Sequence, residues 1–269
     1  MIGFFDSGFG GLTVLRSVVD ALSEYDYVYF GDNARVPYGN RSQKIVYQFT
    51  LQAVDFLFKK GCPLIIIACN AASAKALRRI QRTFLPAAYP ERRVLGVIRP
   101  SVEEVVEGAC KRIGILATEG VVASRVYITE IEKLTTSVQI YQQACPLLVP
   151  IVEAGERNWE GTDMIISKYL SQLFAQNAEI DTILLACTHY PLLQKNFKRL
   201  VPPRITILEQ GPIVARKLQD YLVRHPEIET KISKGGSRTF FTTDASAKFD
   251  RLALTFFGQP IDSKLVSLG

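Results

Sequence analysis

Leu64-Ile65-Ile66-Ile67-Ala68-Cys69-Asn70 and Ile183-Leu184-Leu185-Ala186-Cys187-Thr188-His189 are nearly the same phrase written twice. Each is a short apolar run that stops at Ala-Cys-polar and gives way to a helical pattern. Runs of this kind read as buried parallel strands, which need no polar face because helices cover both sides of the sheet. Each cysteine then stands at the carboxyl end of its strand, just before a helix N-terminus, where open α/β sheets hold their ligands. A helix N-terminus carries partial positive charge, so a thiol there is expected to have a lowered pKa and a larger thiolate fraction. Two such thiols are suited to flank one substrate. The repetition also points to two similar half-units, although the rest of the chain shows no obvious self-similarity.

Outward from these runs, the pattern predicts strands near 2–5, 27–31, 63–68, 93–97, 112–117, 182–186, 205–208 and 238–243. Helical periodicity falls near 11–23, 42–59, 71–83, 121–134, 163–176, 191–199, 211–223 and 246–257. Strand and helix alternate throughout, which defines the α/β class with mostly parallel sheets. With 269 residues, 48% of them hydrophobic, the chain can bury one large core or two smaller ones.

Composition excludes several classes. No apolar run approaches the roughly 20 residues of a membrane span, and Met1-Ile2-Gly3-Phe4-Phe5-Asp6 lacks the regions of a signal peptide. A soluble, cytoplasmic protein with no membrane partner is expected. Five cysteines, an odd number with no C-x-x-C pair, argue against a disulfide framework or a zinc site, so no metal is expected. The formal charge of +6 raises the question of a nucleic-acid partner. The charge is dispersed, however. Its densest stretch, Lys75, Arg78, Arg79 and Arg82, has helical spacing, comes with no aromatic platform and reads as a solvated helix face. A small anionic substrate suits a basic protein equally well, and no nucleic acid is required.

Several polar groups stand out beside the cysteines, two of them directly after predicted strands. Asp6-Ser7-Gly8-Phe9-Gly10-Gly11 follows the first strand and opens a helix whose free N–H groups suit a carboxylate or phosphate. It is neither G-x-G-x-x-G nor a Walker loop, so a nucleotide is not indicated; a plain tight βα turn is the alternative. Asp6 is its unusual element, able to pair with an ammonium or tune a neighbouring thiol. Gly31-Asp32-Asn33-Ala34-Arg35-Val36-Pro37-Tyr38-Gly39-Asn40-Arg41-Ser42 is either a surface loop ending in a helix cap at Ser42 or a binding loop. Glu153, in Val149-Pro150-Ile151-Val152-Glu153-Ala154-Gly155, is an isolated glutamate that the residues alone leave as a solvated charge. Of two histidines, His225 lies in a polar stretch, while His189 is two residues from Cys187 and suited to exchange a proton with it.

Together these segments resemble the glutamate racemase family from end to end. The resemblance rests on Asp6-Ser7-Gly8 through Gly11, Gly31-Asp32 through Gly39, Ala68-Cys69-Asn70 through Ala74, Gly96-Val97-Ile98, Val149-Pro150 through Glu153, and Cys187-Thr188-His189-Tyr190-Pro191-Leu192-Leu193. It implies two similar α/β domains with the active site in the cleft between them. The first would combine residues 1–96 with 208–269, and the second would be the insert 97–207. It implies a cofactor-independent isomerase, a homodimer, interconverting L- and D-glutamate and supplying D-glutamate for peptidoglycan, hence for cell wall and cell shape. The cysteine matching Cys69 serves the D-enantiomer as base and that matching Cys187 the L-enantiomer, each being the acid for the other direction. Asp6 matches the group assisting the first thiol, and His189 and Glu153 those assisting the second. Asp6, Ser7, Pro37, Tyr38, Gly39, Asn70, Ala71, Thr118 and Thr188 fall at substrate-binding positions. Some members carry an N-terminal extension associated with a peptidoglycan-precursor activator; with the first strand at Ile2, no such dependence is expected.

The chemistry asks for these parts independently of the family. Inverting Cα takes one base to remove hydrogen and one acid to return it, with donors holding the carboxylate where negative charge develops. Two positions depart from the family pattern: Ala71 and Val121 stand where it usually has threonine. Related aspartate racemases usually have glutamate at the position of His189, which favours glutamate here. The alternatives are a racemase for another amino acid, a non-catalytic ligand-binding relative, and a cysteine hydrolase built on Cys187 and His189, which would not need Cys69.

Overall fold

The computed structural model describes residues 1–268. Numbered in chain order, its strands are β1 (Ile2–Asp6), β2 (Tyr27–Gly31), β3 (Leu64–Ile67), β4 (Arg93–Gly96), β5 (Arg112–Ala117), β6 (Gln139–Ala144), β7 (Thr182–Ala186), β8 (Thr206–Glu209), β9 (Arg238–Thr242) and β10 (Ser263–Leu265). All eight strands read from the sequence are present. The two additions, β6 and β10, lie at sheet edges, and β6 is the polar run Gln-Ile-Tyr-Gln-Gln-Ala, which carries no apolar signal.

The chain divides into two compact units. Met1–Val97 and the chain from Gly211 onward make the first, and Ile98–Gln210 the second. The first unit holds a parallel six-stranded sheet in the order β10-β9-β2-β1-β3-β4. Strands β1, β2 and β3 are buried along their whole length, as the unbroken apolar runs require. Their registers, Asp6 opposite Gly31 and Phe5 opposite Ile67, bring the carboxyl ends of β1, β2 and β3 level. The chain steps from β1 outward to β2, then crosses back to β3 on the other side, so the strand order reverses between β1 and β3. Such a reversal leaves a crevice at the strand ends.

The second unit holds a parallel four-stranded sheet in the order β6-β5-β7-β8. Written from its own first strand, this is the same 2-1-3-4 order that β2-β1-β3-β4 follows. Here the reversal falls between β5 and β7, whose ends are level through Ala117 opposite Ala186. Cys69 follows the third strand of one unit and Cys187 the third strand of the other. The repeated phrase is thus a repeated topological position.

Helices differ more from the sequence pattern. The helix expected over 121–134 is two, Glu119–Ser124 and Val126–Glu132, parted at Arg125, whose φ of 53° is left-handed. The one expected over 71–83 runs on to Ala88 and contains two π-wound stretches, Ser73–Leu77 and Ile80–Phe84. The helix Ile98–Glu107, absent from the sequence reading, has Pro100 near its start, where proline is tolerated. Ser42 does cap Gln43–Lys59, its Oγ accepting from Ile45 N. Among the described residues no helix is long and apolar enough to cross a membrane.

Candidate active site

In the first unit, β1 ends in Asp6, which is 2% exposed and accepts a hydrogen bond from Gly8 N at 2.8 Å. The helix Gly11–Ala21 starts hard against it. A Cβ on Gly11 would stand 2.6 Å from Cβ of Asp6 and 3.0 Å from that of Ala68, so only glycine lets this helix begin here. Beyond β3, Cys69 caps the following helix, its Sγ accepting from Ala72 N at 3.5 Å and lying 3.4 Å from Ser7 Oγ. Asp6, Ser7 and Cys69 therefore form one cluster. Asn70 and Ala71 are the next buried residues of that helix.

Cys69 departs from the expected electrostatics. The helix N-terminus does reach its sulfur, but burial pushes the thiol up to about 12, the Asp6 charge adds to this, and the bonds from Ser7 and Ala72 only partly oppose them. The resting thiol is protonated.

The loop after β2 is organised by Asp32, which is fully buried. Its Oδ2 accepts from Arg35 Nε at 2.7 Å and from the Tyr38 hydroxyl, and its Oδ1 accepts from Thr243 Oγ1 at 2.8 Å. The Tyr38 hydroxyl is thereby committed, and its backbone and that of Gly39 are what this loop offers a ligand. Pro37 precedes them after a cis peptide bond. Gly39 is tied down at its carbonyl by Lys75 Nζ at 2.9 Å. Sequence reading set Lys75 on a solvated face, yet it is half-buried while Arg78, Arg79 and Arg82 are the exposed ones. The π-winding of Ser73–Leu77, invisible to an α-helical template, separates them. Asp32 was visible in the quoted loop; Thr243, far along the chain, carried no signal.

In the second unit, Cys187, Thr188 and His189 follow β7, each less than a tenth exposed. His189 Nε2 lies 2.9 Å from Glu153 Oε1, so the isolated glutamate is an ion-pair partner and not a solvated charge. Burial alone would lower the imidazole pKa, but hydrogen bonds to Cys187 and Glu153, with the charges of both, raise it to about 10. The imidazole is therefore charged at neutral pH, between a carboxylate and a thiol. Thr118 directly follows β5, whose last residue Ala117 pairs with Ala186. It stands at the N-cap of Glu119–Ser124 without making the side-chain cap that threonine ordinarily makes there, and its buried Oγ1 has no partner among the described residues. Cys187, His189 and Glu153 thus form the second cluster, with Thr118 and Thr188 at the adjacent strand ends. His225 pairs with Glu227 on the surface, away from any cysteine. Among the described residues no group of three or more His, Cys, Asp or Glu side chains is placed to hold a metal ion.

Two parallel sheets of one strand order, each with a buried thiol and its own proton partner at the carboxyl end of its third strand, define an amino-acid racemase. Residues 2–218 match the Asp/Glu/Hydantoin racemase family, and the chain belongs to it. Within that family its likeness is to glutamate racemases. That of Aquifex aeolicus is 34% identical over 267 residues, covering 99% of this chain and 97% of that protein. The crystal structure of glutamate racemase isoform RacE1 from Bacillus anthracis superposes with a TM-score of 0.90 at 31% identity, covering 100% of this chain and 97% of that one. That from Francisella tularensis, in complex with D-glutamate, gives a TM-score of 0.88 at 29% identity, with 99% and 97% covered.

Proposed function

We propose that this chain interconverts L- and D-glutamate, with Cys69 and Cys187 as the two acid–base groups. The observation that carries this reading is the pair of proton stations: Asp6 and Ser7 around Cys69, His189 and Glu153 around Cys187. The Cα hydrogen of an amino acid is very weakly acidic, so a thiolate of high basicity gains driving force as a base. Burial and Asp6 give Cys69 that basicity. Beside Cys187 the charged His189, held by Glu153, is the group able to exchange a proton with the sulfur.

From D-glutamate, Cys69 takes the Cα proton and Cys187 returns one to the planar carbanion. From L-glutamate the roles exchange. Thr118 Oγ1, buried and unpartnered, is a donor for the substrate, joined by the backbone of Tyr38 and Gly39 and by Ser7, Asn70 and Thr188. Pro37 and Ala71 shape the same ground. The chain's own groups supply every proton step, and D-glutamate made here would enter peptidoglycan.

Circular dichroism of D- and L-glutamate with pure protein tests this directly. The signal of either enantiomer should decay to zero, and exhaustive chelation should leave the rate unchanged. Unchanged glutamate would overturn the reading. Decay of aspartate instead would favour the second one, a racemase for another amino acid, which Ala71 and Val121 at binding positions would then explain.

A further inference from the structure

Lys75 has no place in the chemistry above, yet its ammonium is half-buried and spent entirely on backbone. Nζ donates to the carbonyl of Gly39 at 2.9 Å and to that of Arg41 at 2.7 Å. An ammonium has three donors in a compact group, and two converging on carbonyls two residues apart make a clasp across a turn. We infer that Lys75 is a positioning residue for the Cys69 cluster: it ties the Tyr38–Gly39 segment to the helix that Cys69 opens, and so sets where that backbone meets a substrate.

The base of the clasp is rigid. Ser73, two residues before Lys75, is buried and donates its hydroxyl to the carbonyl of Ile67, the last residue of β3, at 3.0 Å. A Cβ on Gly96 of β4 would stand 2.7 Å from Leu77 and 2.8 Å from Ser73 Oγ, so the helix is seated directly on the sheet at this turn. The π-winding of Ser73–Leu77 closes bonds five residues apart instead of four, adding a residue to the turn and altering which side chains face the loop. Such insertions recur at functional sites.

The other end of the clasp is held otherwise by bonds within the loop and by the Arg41 guanidinium, 5.7 Å from the centre of the Phe49 ring. Asp32 fixes the loop through Arg35 and the Tyr38 hydroxyl and ties it to Thr243, and none of these three bonds reaches Gly39, Asn40 or Arg41. Past that point Arg41 N reaches back to the Tyr38 carbonyl at 3.2 Å and Arg41 Nε to the Arg35 carbonyl at 3.1 Å, both bonds internal to the loop. Among the bonds that hold Gly39, Asn40 and Arg41 to the rest of the unit, those from Lys75 come from the helix bearing the thiol. The amide of Gly39 is directed by the same turn whose carbonyl Lys75 holds.

This inference rests on the proposed racemase reading, and two readouts separate them. In Lys75→Met, which keeps the chain length and removes the donors, KM for both glutamate enantiomers should rise about tenfold while kcat changes less than about twofold. The equilibrium constant of a racemase is fixed, so the two directions must shift together. Lys75→Arg, which still donates to two carbonyls, should restore KM to within about threefold of wild type. Without substrate, amide hydrogen exchange across residues 37–42 should quicken in Lys75→Met while the thermal midpoint stays within about 2 °C. If Lys75→Met does not fold, Lys75→Gln provides the same comparison. Unchanged KM, unchanged exchange in that loop, or equal losses in kcat and KM effects for the Met and Arg variants would overturn the clasp. Absence of glutamate turnover in the wild-type protein would overturn the racemase reading and leave the exchange result standing.

Discussion

Cys69 and Cys187 occupy the same topological position in two sheets of the same strand order, and their surroundings are nonetheless opposite in kind. Around Cys69 the neighbour is a carboxylate, Asp6, whose negative charge joins with burial to hold the proton on sulfur. Around Cys187 it is an imidazole, His189, kept charged by hydrogen bonds to Cys187 and Glu153. The supporting residues come from different places as well: Asp6 from the first strand of its unit, His189 from the segment directly behind its own thiol, and Glu153 from the helix Leu148–Glu153 after the second strand. A duplicated scaffold therefore fixes where a thiol stands and leaves how it is tuned to the loops.

The most severe way to break the comparison is to remove the thiols one at a time. Cys69→Ser and Cys187→Ser should each lower racemisation by at least about a thousandfold, within the range that a positioned acid–base group supplies. Elimination of chloride from β-chloroglutamate needs only one base, because removal of the Cα hydrogen is followed by loss of chloride from Cβ with no proton returned. Cys69→Ser should retain elimination from the L-form through Cys187, and Cys187→Ser from the D-form through Cys69. Chloride release by each variant from each enantiomer is the measurement. Near wild-type racemisation by either variant would dispose of the two-thiol mechanism.

A middling effect should appear in stability against pH, in different windows for the two units. His189 has a folded pKa near 10 against an ordinary value of 6.5, so it binds a proton that the unfolded chain has lost between those values. Its contribution is full below about pH 6.5 and is lost as pH rises toward 10, at up to about 1.4 kcal/mol per pH unit. Cys69, raised from 9.0 to about 12, loses its contribution only across that higher window. Thermal midpoints measured between pH 7 and 9 should fall less steeply in His189→Asn than in wild type. Cys69→Ser should flatten the curve only above pH 9. Parallel curves for wild type and His189→Asn would refute the charged imidazole.

How legible these two clusters were in sequence differs in the same instructive way. Apolar runs announced β1, β2, β3, β5 and β7, because burial on both faces leaves no choice of residue, and the cysteines were placed once the strands were. Asp6, adjacent to its strand, and His189, adjacent to its cysteine, could be seen as well. Glu153 is reached only through the family resemblance: its partner is 36 residues away, and nothing local separates an ion-paired glutamate from a solvated one. The direction of the Cys69 shift was misjudged for a related reason, since a helix N-terminus is visible in sequence and the depth of burial that outweighs it is not. Lys75 was misplaced by a change in helical winding that no periodicity reveals.

The gentlest test sharpens the comparison at the two missing hydroxyls. Ala71 is 6% exposed in the first turn after Cys69, whereas Val121 is fully buried. Ala71→Thr should lower KM for glutamate by up to about tenfold with little change in kcat, the worth of one hydrogen bond to a charged group. Val121→Thr should do less, because its hydroxyl would be enclosed. Steady-state kinetics in both directions decides between them. A new preference for another amino acid in Ala71→Thr would mean that this pocket is shaped around a different side chain.

The sheet of the first unit is assembled from distant parts of the chain, and this orders events during synthesis. Strand β2 emerges early, yet one of its two partners, β9, pairs from Tyr27 opposite Arg238, and the Asp32 carboxylate that holds the Tyr38 loop awaits Thr243, 211 residues later. At roughly 5–20 residues per second, a ribosome leaves that edge open for some ten seconds or more. In that interval the second unit, contiguous in sequence, has all four of its strands and can fold first. The nascent chain thus carries a complete His189–Glu153 pair while the Asp32 loop still lacks Thr243 and the β2 edge stays open until β9 is made.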